Sequence, residues 1–158
     1  IVVQMARIMG CRVIGIAGGP EKCEFIRGLG SEQAIDYKNE DVPGRIAQLC
    51  PDGLDIYFDN VGGETLAASL ENLAYEARVV LCGSISEYTR DEPFGLQNYT
   101  RLRAVNGTMK GFFVYNHEHE FHQATDQFAE WIKAGQMKPV QDFEEGFERM
   151  PQALANLY

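Results

Sequence analysis

The stretch LDIYFDNVGGE (residues 54–64) constrains this chain more than any other. It opens as an apolar run, Ile56, Tyr57 and Phe58, meets the polar pair Asp59-Asn60, and breaks at Gly62-Gly63. Residues 66–73 then read as a helix. A strand that ends this way suits the rim of an open parallel sheet, where ligands bind beyond the carboxyl ends of the strands. Glycine lets backbone approach a bulky ligand, and Asp or Asn can bond to sugar hydroxyls or backbone amides. A binding site is expected at this rim.

The rest of the chain repeats the pattern. Residues 1–9 carry apolar side chains at helical spacing, with Gly10 as a C-terminal cap. RVIGIA (12–17) reads as a buried strand, and Gly18-Gly19-Pro20 turns it into a helix that runs to Leu29. QAIDY (33–37) is a short strand, 41–50 a helix closed by Pro51, and RVVLC (78–82) another strand. Residues 84–98 form a polar rim loop. A short helix over 99–105, a strand over 108–115 and a helix over 121–133 follow. Pro139-Val140 begins a short strand, and 151–158 a final helix. Alternating strand and helix predict an α/β fold, a doubly wound parallel sheet of Rossmann type. No helix start precedes residue 1 and no strand follows the last helix, so the sheet is expected to lack its first and closing strands.

Composition narrows the class of partner. A formal net charge of −9 disfavours nucleic acid and anionic membrane surfaces, since both demand clustered Lys and Arg. No apolar run approaches the roughly 20 residues a membrane helix needs. The four cysteines, Cys11, Cys23, Cys50 and Cys82, show neither zinc spacing nor a disulfide framework. A reducing cytoplasmic compartment is the expectation. His117, His119 and His122, with Glu118 and Glu120, raise the question of a metal, but a solvated helix entry is expected there, and no metal.

A dinucleotide fold should carry G-x-G-x-x-G after its first strand, and no such motif occurs. GIAGG (15–19) is a tempting substitute, but the pyrophosphate loop is expected ahead of residue 1. The tip of the 12–17 strand carries no acid for a ribose 2′-hydroxyl, and Lys22 follows it. A small tip with a nearby cation suits the 2′-phosphate of NADP. Alone, Lys22 also reads as an ordinary surface lysine. Tyr37 and Lys38, at the next strand's end, face the same region in a parallel sheet. In VVLCGSISEY (79–88), Ser84, Ser86 and Tyr88 can lie along a nicotinamide ribose, or form a capped turn with a packing tyrosine. Phe112, Phe113 and Val114 read equally as strand core.

AGGPEK, AIDYKNED, YFDNVGGE, VLCGSISEY, KGFFVY and EGFERMPQAL, in this order and spacing, resemble the zinc-independent medium-chain dehydrogenase/reductases. The likeness is to their prostaglandin reductase and leukotriene hydroxydehydrogenase branch, NADP-dependent alkenal/one oxidoreductases. It implies an NADP(H)-binding Rossmann domain over 1–158, incomplete at both ends and inactive without an N-terminal catalytic domain. It implies Lys22 and Tyr37 at the 2′-phosphate and Asn60 near the nicotinamide. Cys82, Gly83, Ser84, Ile85, Ser86 and Tyr88 would lie along the cofactor, and Phe112, Phe113 and Val114 beside the nicotinamide. Tyr88 would orient the carbonyl of an enone or enal substrate as the catalytic residue. The resemblance further implies a homodimer joined through 108–115. Two other readings remain open: an NADP-sensing module without turnover, and a Rossmann-like methyltransferase.

Overall fold

The structure, a computed structural model, describes residues 1–156. Two compact units divide the chain, the first ending at Phe121 and the second beginning at His122.

In the first unit α1 (Val2–Ile8) precedes β1 (Ile14–Ala17), α2 (Pro20–Gly28), β2 (Gln33–Asp36) and α3 (Val42–Leu49). Then come β3 (Leu54–Asp59), α4 (Gly63–Leu70), β4 (Leu73–Leu81), α5 (Arg101–Ala104) and β5 (Thr108–Gly111). All strand pairs are parallel: β1 with β2, β3 with β4, and β4 with β5. Among the described residues no ladder joins β1 to β3, so hydrogen bonding divides the strands into two sheets. Packing bridges them. Ile14 and Ile16 of β1 and Leu54 of β3 contact one cluster of Ile35, Ile46 and Ala68. A second cluster, Leu66, Leu70, Leu73, Ala77 and Val79, fills the space between α4 and β4. Each fully buried Ile, Leu or Val there contributes about 1.5–3 kcal/mol of burial free energy.

Several boundaries depart from the sequence expectation. Helix α4 begins at Gly63 and ends at Leu70, not 66–73, because Asn72 already hydrogen-bonds into the strands: its carbonyl accepts from Leu54 N–H at 2.8 Å and its side chain donates to Cys50 O at 2.8 Å. Strand β4 consequently starts at Leu73 rather than at 78. Its register against β3 jumps from Leu54↔Leu73 to Ile56↔Arg78. The surplus residues are taken up by Glu76, in the left-handed region at φ 59°. Gly53, at φ 89°, lies where a Cβ would meet Ala74 N at 2.5 Å, so the neighbouring backbone leaves room for hydrogen alone.

The strand expected over 108–115 ends at Gly111. Its partner β4 ends at Leu81, whose carbonyl accepts the last rung from Phe112 N–H at 2.8 Å. With nothing further to pair, the chain turns into 3-10 structure over Val114–Glu120. The rim loop also contains a 3-10 turn, Ile85–Glu87.

The second unit contains most of α6 (Phe121–Lys133), a 3-10 turn Phe147–Arg149 and α7 (Met150–Ala155). Met137 is buried, and its N–H and that of Gln136 close on Trp131 O. Pro139-Val140 is not a strand; among the described residues this unit contains no strand to pair with it. The last two positions of the helix expected over 151–158 lie outside the described residues.

Candidate cofactor and active site

The rim is built around one buried carboxylate. Asp59, the last residue of β3, is 1% exposed. Its Oδ1 accepts the N–H groups of Val61 at 3.0 Å and Gly62 at 3.1 Å, and its Oδ2 accepts Gly62 N–H at 3.1 Å. Tyr57 donates its hydroxyl to Oδ1 at 3.1 Å. Burial first, and then the charge of Asp59, push the Tyr57 phenol well above its ordinary range. Tyr57 therefore stays protonated and is the donor to the carboxylate.

The turn so pinned packs against the loop after β4. Cys82 and Gly83 N–H reach Asp59 O at 2.8 and 3.1 Å, and Ile85 N–H reaches Asn60 O at 3.1 Å. Ser86 donates its hydroxyl to Val61 O at 2.6 Å. This approach needs glycine. A Cβ on Gly63, at φ 54°, would stand 2.8 Å from Ser86 Oγ, and one on Gly83 would stand 3.1 Å from Asn60 O. The two strand ends thus form one surface, with the Asn60 side chain exposed on it.

That surface opens into a cleft of about 460 Å³, within the range of small-molecule sites. Of the sequence-proposed residues, Cys82, Gly83, Ser84, Tyr88 and Phe113 line it. Asn60, Ile85, Ser86, Phe112 and Val114 lie in the same segments without lining it. Tyr88 and Phe113 are 60% and 62% exposed, free to meet a ligand. The sequence reading missed Leu66, Leu81, Glu87, Phe94 and Leu96, which complete the lining. Leu66 and Leu81 were legible only as helix and strand core, and nothing in the polar 84–98 loop marked Glu87, Phe94 or Leu96.

Lys22 and Tyr37 belong to the other sheet's tip. Lys22 is exposed in the first turn of α2, and Tyr37, half-exposed, follows β2. A Cβ on Gly18 would meet the Tyr37 ring and Lys38 Cε at 2.9 Å each, so an aromatic face and a cationic stem close over the end of β1. Asp36 organises this tip. Its Oδ1 accepts Gly19 N–H at 2.8 Å and Lys38 N–H at 3.1 Å, and its Oδ2 accepts from Asn39 Nδ2 at 2.7 Å. The Gly19 amide is already taken by Asp36, which leaves GIAGG one donor fewer for a phosphate.

The Asn39 side chain, then the Gly19 amide, hold the Asp36 carboxyl below the usual range. A depressed folded pKa contributes stability above the unfolded value of about 3.9, lost as pH falls through the lower folded value. Asp36→Ala should therefore lower the melting temperature at pH 7, and the gap from the parent should close on acidification below pH ~4. A gap independent of pH would show that the carboxylate's charge does not matter.

Burial pushes the Cys23 and Cys50 thiols up, so both stay protonated. His117 stacks on Phe112 at 5.1 Å, with Glu120 Oε1 at 3.6 Å from His117 Nδ1 and 3.3 Å from His119 Nε2.

Parallel strands with helical crossovers, and a cleft at the strand ends walled by a glycine turn, define a Rossmann-type nucleotide-binding domain. Residues 1–130 match the family model described as zinc-binding dehydrogenase, and the chain belongs to that family. It is 36% identical over 160 residues to (+)-pulegone reductase of Mentha piperita, covering 100% of this chain and 47% of that protein. The 2-alkenal reductase (NADP(+)-dependent) of Nicotiana tabacum gives the same identity and coverage. Among solved structures, CurA in complex with NADPH from Vibrio vulnificus is 35% identical with a TM-score of 0.90, over 99% of this chain and 48% of that one. The chain spans about half the length of the relatives it matches. Family membership sets aside the methyltransferase reading. Among the described residues no group of three His, Cys, Asp or Glu is placed to hold a metal ion.

Proposed function

We propose that this chain is the NADPH-binding domain of an oxidoreductase that reduces the carbon–carbon double bond of α,β-unsaturated ketones and aldehydes. The observation that carries the reading is the cleft between the Asp59-pinned turn and the Cys82–Tyr88 loop, with an exposed tyrosine at its wall. The names of the pulegone and alkenal reductases support the substrate class, and the CurA complex supports the cofactor.

In this reading Lys22, Tyr37 and Lys38 hold the 2′-phosphate, Asn60 and the Cys82–Ser86 backbone lie along the nicotinamide half, and Phe112, Phe113 and Val114 flank the ring. Bound NADPH supplies the hydride that adds to the β-carbon of the enone. Tyr88 donates its hydroxyl to the carbonyl oxygen and stabilises the charge that develops there, before a proton is taken up at the α-carbon. Donors placed in advance at the site of developing charge need no reorganisation during the step.

The domain over 1–158 is proposed to be incomplete. The unpaired edges of β1 and β3 support a further strand between them, the position the doubly wound order gives to its first strand. Turnover then needs a second domain. NADPH oxidation dependent on an enone should be measurable with the full-length protein and absent with this chain; equal activity of the two would overturn the division of labour. Lys22→Ala should reduce the preference for NADPH over NADH by about tenfold, the worth of one exposed charge-assisted hydrogen bond. An unchanged preference in paired cofactor titrations would remove Lys22 from the phosphate site.

Strand β5 is an edge strand, and an edge left open is a pairing surface. We assign it, with residues 112–115, to a homodimer contact, which sedimentation would report as a mass of twice the chain. Four free cysteines support a reducing, cytoplasmic compartment. No helix among the described residues is long and apolar enough to cross a membrane.

A further inference from the structure

Phe94 and Leu96 reach the cleft from the far side of the 84–98 loop, after the exposed residues 88–93. Leu96 packs against the Leu66–Leu70–Val79 cluster, and Asn98 donates to Ala67 O at 2.9 Å and to Glu71 Oε1 at 2.7 Å. Those contacts fix the returning end. What fixes the excursion itself is Glu87. Its Oε2 accepts Phe94 N–H at 2.8 Å across seven residues. Its Oε1 stands 3.9 Å from Arg90 Nη1, and Arg90 N–H donates to Glu87 O at 3.2 Å. The Arg90 guanidinium in turn lies 5.5 Å from the centre of the Phe94 ring.

The same carboxylate faces the glycine turn. Oε1 is 3.3 Å from Ser86 Oγ, whose hydrogen goes to Val61 O, and would stand 3.3 Å from a Cβ on Gly63. One side chain, on the residue before Tyr88, thus couples the Asp59–Gly63 turn through Ser86 to the backbone of the aromatic that lines the cleft. Leu66, Leu81, Phe94, Leu96 and Phe113 make much of the lining apolar. An alkyl or aryl group on the substrate gains burial there only while Phe94 is held in place.

We infer that Glu87 is a positioning residue that sets the Phe94–Leu96 wall and so favours enones with a bulky apolar substituent on the β-carbon. This rests on the double-bond reductase reading. A capping role alone would leave substrate preference unmoved. The test pairs Glu87→Ala with Glu87→Gln, whose amide oxygen can still accept Phe94 N–H. In the chain, hydrogen exchange at the Phe94 amide should quicken about tenfold or more in the alanine variant and stay near the parent rate in the glutamine variant. In the full-length protein, the ratio of kcat/KM for 4-phenyl-3-buten-2-one to that for 3-buten-2-one should fall about tenfold with alanine and recover with glutamine. Unchanged Phe94 exchange, an unchanged ratio, or a glutamine variant as impaired as alanine would overturn the inference. If no form reduces either enone, the reductase reading and the substrate preference fail together, while Phe94 exchange still decides whether Glu87 holds the loop.

Discussion

Asp59→Ala is expected to lower the unfolding free energy of this chain by about 3 kcal/mol and to disorder the turn that carries Asn60. The magnitude follows from what the carboxylate satisfies. Two backbone amides and the Tyr57 hydroxyl converge on a side chain that is 1% exposed. Alanine leaves all three donors unpaired, each worth about 1–3 kcal/mol when buried without a partner, with partial relief as water enters. Asp59→Asn keeps the shape but turns an amide N–H₂ towards donors, so its loss should be intermediate. The damage should spread to the neighbouring loop, because Cys82, Gly83 and Ile85 bond to the backbone of the same turn. Urea titration of the three forms is the check. A loss below about 1 kcal/mol for alanine, within the range of an ordinary exposed hydrogen bond, would mean that the turn holds itself without the carboxylate.

Tyr88→Phe in the full-length protein is expected to lower turnover by about 10²-fold, the cost typical of removing one donor to a developing oxyanion. Phenylalanine keeps the ring and removes only the hydroxyl. The loop geometry survives, since Tyr88 is tied to it through its backbone N–H to Ile85 O at 3.4 Å and not through its hydroxyl. NADPH affinity should therefore stay within about twofold, a change of roughly 0.4 kcal/mol. Steady-state kinetics with a parallel cofactor titration separates the two effects. Undiminished turnover removes Tyr88 from the chemistry, and an equal loss of cofactor affinity makes it a binding residue instead.

Much of the first unit was readable because its signals are local. Apolar runs ending in Gly marked β1 and β3, the short run QAIDY marked β2, and their alternation with helices pointed to parallel pairing. The rim after β3 was readable for the same reason: glycines at φ 74° and 54° are needed where the strand turns into α4. What escaped depends on partners distant in sequence. Residues 108–115 look like one strand, yet the strand stops at Gly111 because β4 offers no further carbonyls beyond Leu81. Val140 has the right propensity but, among the described residues, no neighbouring strand in its own unit. Asp59 reads as a ligand contact, yet its carboxylate is turned inward to hold Val61, Gly62 and Tyr57, which makes it the pin of the turn. Glu87, Phe94 and Leu96 sit in a polar, aperiodic loop, and only bonds spanning 7 to 31 residues bring that loop back to the cleft.

Hydrogen bonding also separates Asp36 from Asn60. Asp36 ends β2 and Asn60 follows the end of β3, and of the two only Asn60 was a candidate in the sequence. Asp36 spends its oxygens on Gly19, Lys38 and Asn39, so it shapes the tip of β1 without competing for a 2′-phosphate. Asn60 keeps its side chain exposed. A polar group that its own fold leaves unused is the better candidate for a ligand.

The central claim is that these strand ends hold NADP. Thermal melting of the chain with NADPH, NADH and S-adenosylmethionine, each at equal concentration, tests it most directly, since a ligand bound at 100 times its Kd stabilises the folded state by about 2.7 kcal/mol. The account predicts a rise in melting temperature with NADPH, a smaller one with NADH and none with S-adenosylmethionine, and a loss of the difference between the two nucleotides in Lys22→Ala. A rise with NADH equal to that with NADPH, or a rise with S-adenosylmethionine instead, would contradict it.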